Sequence, residues 1–199
     1  MRTFSRICVY CGSSQRVDPR YLELAGEVGR DLANRGYGVV YGGGHIGLMG
    51  RVADGALAVE GEVFGVIPEK LRDLELAHTG CTEMHVVDTM HARKTKMAEL
   101  SDAFIALPGG FGTLEELFEV TTWTQLQYHD KPVGVLNAFG YYDQLLAFID
   151  HATRARFIRA EHRPILQSAT ELGPLLEQLA TVELPELRAS LLSGDLSDT

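Results

Sequence analysis

Residues 108–116, Pro-Gly-Gly-Phe-Gly-Thr-Leu-Glu-Glu, combine the groups most suited to chemistry in this chain. A short apolar run precedes them and a segment of helical periodicity follows, so they read as a strand end, a glycine turn and a helix N-terminus. Such a turn offers backbone N–H groups to an anion. Gly109, Gly110 and Gly112 let the main chain approach a ligand closely. Glu115 and Glu116 place carboxylates within a turn of that anion, where one can stabilise a positively charged, sugar-like transition state or orient water. Thr113 and Glu116 also have the spacing of a capping box, so a structural role and a chemical one both stand at these two residues.

A second group is Arg93, Lys94 and Lys96, in the early turns of a helix capped by Asp88 or Thr89. Cations there oppose the helix dipole, each at a cost of a few tenths of a kcal/mol, and a bound anion would offset it. Arg93 suits phosphate or ribose oxygens through its fixed fork of donors. Lys94 joins it as a site candidate, whereas Lys96 faces elsewhere on the helix. Two further small-residue turns follow apolar runs, Gly12-Ser13-Ser14 and Gly42-Gly43-Gly44 through Gly50. In a parallel sheet the three turns can converge on one crevice as candidate phosphate loops.

The positioning elements follow from period and punctuation. Strands are expected at residues 7–11, 38–41, 62–67, 83–87, 103–107 and 133–136. Helices are expected from Pro19 to Gly36, from the second glycine turn through Ala58, from about Met90 to Leu100, from the focal turn to about Tyr128, from Tyr142 to about His151, and after Ser168 and Glu171, which have capping-box spacing. Residues 154–163 read as a mixed-charge loop, a lid or a rim of the site. The alternation predicts an α/β, Rossmann-like three-layer sandwich with a mainly parallel sheet. Residues 1–182 form one catalytic domain in this reading, and 183–199 an acidic, flexible tail.

Composition narrows the classes. The 199 residues carry a formal charge of -9, which disfavours nucleic acid and anionic membrane as partners. With neither a leader nor a membrane-spanning run, a cytoplasmic location is the default. Cys8, Cys11 and Cys81 are an odd number, with Cys8 and Cys11 inside one apolar strand-like run, and the candidate residues lack metal-ligand spacing, so neither disulfide nor metal is expected. The first turn has one glycine and the second strand ends in Tyr41 rather than an acidic residue, which argues against NAD. No cofactor is expected.

The stretch 108–116 resembles the PGGxGTxxE signature of the LOG family, the cytokinin riboside 5'-monophosphate phosphoribohydrolases. Met90-His91-Ala92-Arg93-Lys94 is similar to its second signature, and Gly42–Gly44 through Gly50 to its glycine-rich loop. The likeness spans roughly residues 5–180. It implies a homodimer with the active site near the subunit interface, and cleavage of the N-glycosidic bond of N6-modified adenosine monophosphates, and of AMP, to free base and ribose 5-phosphate. It also implies that Arg93 and Glu116 are catalytic, and that Glu75, Lys94, Gly109, Gly110, Phe111, Gly112, Thr113, Leu114, Glu115 and Thr121 contact the nucleotide. Members have been labelled lysine decarboxylases, but no lysine here is marked out for pyridoxal phosphate. The competing reading is a non-catalytic nucleotide-binding or carrier module, which would use the same turns without a carboxylate beside the sugar.

Overall fold

The computed structural model describes residues 1–74 and 76–185. Glu75 and residues 186–199, most of the expected tail, lie outside the described residues. Among the described residues the chain forms seven strands, most of them short apolar runs: β1 (Arg6–Tyr10), β2 (Gly38–Tyr41), β3 (Val63–Pro68), β4 (Glu83–Val87), β5 (Ala103–Ala106), β6 (Val133–Leu136) and β7 (Leu166–Ala169). Every residue of β2, β3, β5 and β6 is buried, as strands covered on both faces require. The helices are α1 (Pro19–Asn34), α2 (Gly47–Leu57), α3 (Glu69–Arg72), α4 (Met90–Leu100), α5 (Phe111–Gln125), α6 (Asp143–Arg154) and α7 (Leu172–Thr181).

All neighbouring strands are parallel, in the order β4-β3-β2-β1-β5-β6-β7. Side chains alternate across the sheet, giving two cores. Ile7 and Val9 pack with Ala25, Leu32, Val52 and Leu175 beneath α1, α2 and α7, while Cys8 and Tyr10 pack with Met97, Leu117 and Ile149 beneath α4, α5 and α6. This is the expected three-layer α/β sandwich. Among the described residues, no helix is long and apolar enough to cross a membrane.

From β1 the chain builds outward to β4, then returns through α4 to set β5 on the other flank of β1. The C-terminal ends of β1 and β5 therefore meet at the topological switch point, where open α/β sheets bind ligands. Their following loops touch there, with Gly12 N–H donating to Pro108 O at 3.1 Å.

Three expectations are corrected. Helix α5 starts at Phe111 with Gly110 as its N-cap, so Thr113 lies inside the first turn and the Thr113–Glu116 capping box does not form. Ser168 belongs to β7, in register with Val135, and the N-cap of α7 is Glu171. β7 escaped the sequence reading because Gln167 and Ser168 break any apolar run on this edge strand. Finally, residues 154–163 do not rim the site. Helix α6 carries the chain to the start of β7, at the end of the sheet opposite the switch point, and residues 160–165 form a 3-10 turn there.

Candidate active site

Helix α4 follows β4, and the Thr89 hydroxyl caps it by accepting from Ala92 N–H at 3.0 Å. Arg93 and Lys94 are successive residues, so they leave the helix about 100° apart. Both are buried. Arg93 turns toward the ends of the sheet, donating Nε to Val66 O at 3.1 Å and Nη2 to Gly42 O at 2.9 Å. Its Nη1 is left facing Glu116 Oε1 at 3.8 Å. A Cβ on Gly42 would fall 1.8 Å from Arg93 Nη2, so a glycine there makes room for the guanidinium.

Lys94 turns toward α5. Its Nζ donates to Glu115 and, at 3.0 Å, to Glu119 Oε1. Burial works against the ammonium, yet these carboxylates outweigh it and hold its pKa above the ordinary value. The offset to the helix dipole that the sequence suggested an anion would supply is here provided by the carbonyls of Val66 and Gly42 and by carboxylates of α5. Lys96 pairs with Glu99 at 3.6 Å.

Glu116 projects from the second turn of α5 with a side chain only 11% exposed. Burial pushes its carboxyl up to about 7, against the pull of the Arg93 guanidinium, so it exchanges its proton near neutral pH.

The N-terminus of α5 has no side-chain cap, and the first N–H with a backbone partner is that of Leu114, bonded to Gly110 O at 3.1 Å. The N–H groups just before it are the donors a helix offers an anion. The three glycines differ in what the fold asks of them. A Cβ on Gly109 would meet Thr113 Oγ1 at 2.1 Å and Gly12 N at 2.9 Å, whereas one on Gly110 or Gly112 would meet nothing within 4 Å. Folding requires the first but not the other two, and their missing side chains leave clear space over the helix end. Tyr141 donates its hydroxyl to Gly109 O and Tyr142 to Leu107 O, each at 2.7 Å, fixing the turn from beyond β6.

Around this turn, Thr113 is buried, Leu114 packs against the α4–α5 core and Phe111 is 95% exposed. The Gly12 amide is engaged by Pro108 O and its carbonyl by Leu48 N–H. Exposed Ser13 packs its backbone against Gly47. Gly43, at φ +73, gives its carbonyl to His78 N–H at 2.8 Å, and Gly44 bridges Ala77. Thus Arg93, Lys94, Glu115 and Glu116 come together beside the 109–113 turn, with Gly42 beneath Arg93. Thr121 lies more than a turn further along α5, its hydroxyl bonded to Leu117 O at 2.7 Å, and is not gathered with them.

Glu119, Tyr141 and Tyr142 were missed in the sequence. Glu119 had a signal, since it follows Glu115 by four residues and Glu116 by three, the spacings of helical neighbours. The tyrosines had none.

A family model described as "Possible lysine decarboxylase" matches residues 49–179. The chain is 50% identical over 176 residues to the cytokinin riboside 5'-monophosphate phosphoribohydrolase LOG3 of Arabidopsis thaliana, covering 88% of this chain and 82% of that protein. To the enzyme of that description named LOG in Oryza sativa subsp. japonica it is 47% identical over 192 residues, covering 96% and 79%. Among solved structures, the molybdenum cofactor carrier protein MCP of Chlamydomonas reinhardtii matches with a TM-score of 0.66 at 21% identity, over 87% of this chain and 96% of that one, a likeness of fold. Sequence identity near one half along most of both chains, together with the matched family model, makes this protein a member of the LOG family.

Proposed function

We infer that this chain is a phosphoribohydrolase that cleaves the N-glycosidic bond of cytokinin riboside 5'-monophosphates, and of AMP, to an adenine-type base and ribose 5-phosphate. The relatives' names support the reaction. The observation that carries it is the buried Glu116 carboxyl facing Arg93 at the switch point, one turn from the open N-terminus of α5. A carrier would need the anion-binding turn but no buried carboxylate at the sugar.

The 5'-phosphate sits over Gly110 and Gly112, accepting from the free N–H groups of α5, and its binding energy holds the ribose in place. Arg93, anchored on the carbonyls of Val66 in β3 and of Gly42 just after β2, directs its remaining donors at the phosphate or ribose hydroxyls. As the bond from C1' to the base nitrogen breaks, its electron pair leaves with the base and positive charge grows on the sugar. Ionised Glu116 stabilises that charge and takes a proton from the water whose oxygen bonds to C1'. The departing base takes a proton from solvent and Glu116 returns its own to solvent, so one water is consumed in all.

Residues 1–182 act as one domain, and the enzyme works in the cytoplasm as a homodimer. Phe118 of α5, Leu126 just past its end, Met90 of α4 and Val86 of edge strand β4 are partly exposed apolar side chains that a second copy would cover. Sedimentation at the mass of one chain at micromolar concentration would contradict the dimer.

The function is tested by incubating the purified protein with AMP and with isopentenyladenosine monophosphate and following free base and ribose 5-phosphate. Release of both products above an enzyme-free control is expected. Unchanged nucleotides, or nucleoside plus inorganic phosphate, would overturn the reading.

A further inference from the structure

Glu115, Glu116 and Glu119 of α5 face Arg93 and Lys94 of α4, and the geometry shares the two cations unequally. Lys94 Nζ, almost wholly buried, is bonded to Glu115 and Glu119. Arg93 commits two donor groups to the carbonyls of Val66 and Gly42 and comes no nearer to Glu116 than 3.8 Å. Among the described residues Glu119 is held from one side only: its Oε1 meets Lys94, while its Oε2 is buried without a partner. Its charge therefore acts on Lys94 and on its helical neighbour Glu116.

We propose that Glu119 is a positioning residue for the reaction: by fixing Lys94 it keeps the ammonium off Glu116, leaving Glu116 as the carboxylate free to exchange a proton with water. The proposal rests on the phosphoribohydrolase reading.

The groups around Glu116 make the direction of the effect clear. Arg93 and Lys94 face it from α4, and Glu115 and Glu119 share its helix. Cys8 and Tyr10 of β1, and Cys11 just after it, lie near Glu116, and burial pushes all three up, so they stay neutral through the working range. Changing Glu119 to glutamine removes a negative neighbour and releases Lys94. Both changes favour ionised Glu116, so its titration moves to lower pH, by about half a unit to one unit.

The test follows the Glu116 carboxyl by 13C NMR across pH in the full chain, its signal identified by its loss in Glu116→Gln, alongside kcat and KM for AMP. In Glu119→Gln the midpoint and the acid limb of kcat/KM are expected to fall together, with kcat reduced and KM within about twofold. Glu119→Asp should bring the midpoint most of the way back. Lys94→Gln, which removes a cation, should move it upward. An unmoved midpoint with a lowered melting temperature would mean a purely structural Glu119 and would overturn the proposal. So would a raised KM at unchanged kcat, which would place Lys94 on the phosphate. If the unaltered protein yields no product, the hydrolase reading fails while the NMR midpoints still decide the role of Glu119. Should Glu119→Gln not fold, Glu119→Asp and Lys94→Gln decide it, and a downward or absent move in Lys94→Gln overturns it.

Discussion

Arg93 Nη1 faces Glu116 Oε1 across 3.8 Å, and neither side chain is more than 11% exposed. The separation is too long for a strong hydrogen bond but short enough for the charges to influence each other. Arg93 is tied to the sheet by Val66 and Gly42, so it cannot close on Glu116 without breaking those bonds. Glu116 is left buried and only partly compensated, a poor arrangement for stability and a useful one for proton transfer.

Stability and activity should consequently respond to pH in opposite senses. Glu116 is pushed up to about 7 from an ordinary 4.5, so between those values the folded chain holds a proton that the unfolded chain has lost. Its contribution to stability is present at low pH, declines as pH rises through the window, and levels off above it. The full change is about 3 kcal/mol. Denaturant unfolding at pH 5 and pH 8 should show this decline in the unaltered chain and a smaller one in Glu116→Gln. Equal declines in both would contradict the assignment.

Three neighbouring glycines should give different phenotypes. Gly109→Ala forces a Cβ against Thr113 Oγ1 and Gly12 N, so its melting temperature should fall. Gly110→Ala and Gly112→Ala meet open space and should fold normally. Gly112→Ala, inside the helix, should gain up to about 1 kcal/mol. Both should nonetheless raise KM for AMP, about tenfold or more, because the methyl occupies the phosphate's approach. Unchanged KM in both would place the phosphate elsewhere.

Gly42→Ala should act as an Arg93 variant. The added Cβ would lie 1.8 Å from Arg93 Nη2, so the guanidinium must leave its carbonyl anchors. A displacement of about 1 Å can cost on the order of 100-fold in rate. The kcat/KM for AMP should drop by about that factor, and combining Gly42→Ala with Arg93→Ala should add little. Fully multiplicative losses would show that the two residues act independently.

Much of this arrangement was legible in the sequence. The buried strands announced themselves as apolar runs, most of them closed by glycine or proline, and Thr89 as a cap ahead of Met90. Glu116 and Arg93 were marked by motif and by the unfavourable placement of cations early in a helix. What escaped depended on contacts between distant segments. Nothing local says that Gly42 must be small for Arg93, or that Tyr141 reaches back to Gly109. Thr113 and Glu116 matched a capping box by spacing, but Gly110 starts the helix earlier because the Gly109 turn packs directly against Thr113. β7 carries too few apolar residues to be read without its neighbour β6.

The most direct measurement is single-turnover cleavage of AMP by Glu116→Gln, scaled to folded protein and accompanied by nucleotide binding. Binding within a few-fold of the unaltered chain with cleavage slowed by about 100-fold or more is expected, since the amide keeps the shape of the site but can neither carry negative charge nor take the proton from water. Cleavage at the unaltered rate in the folded variant would contradict the assignment of Glu116 to the sugar carbon.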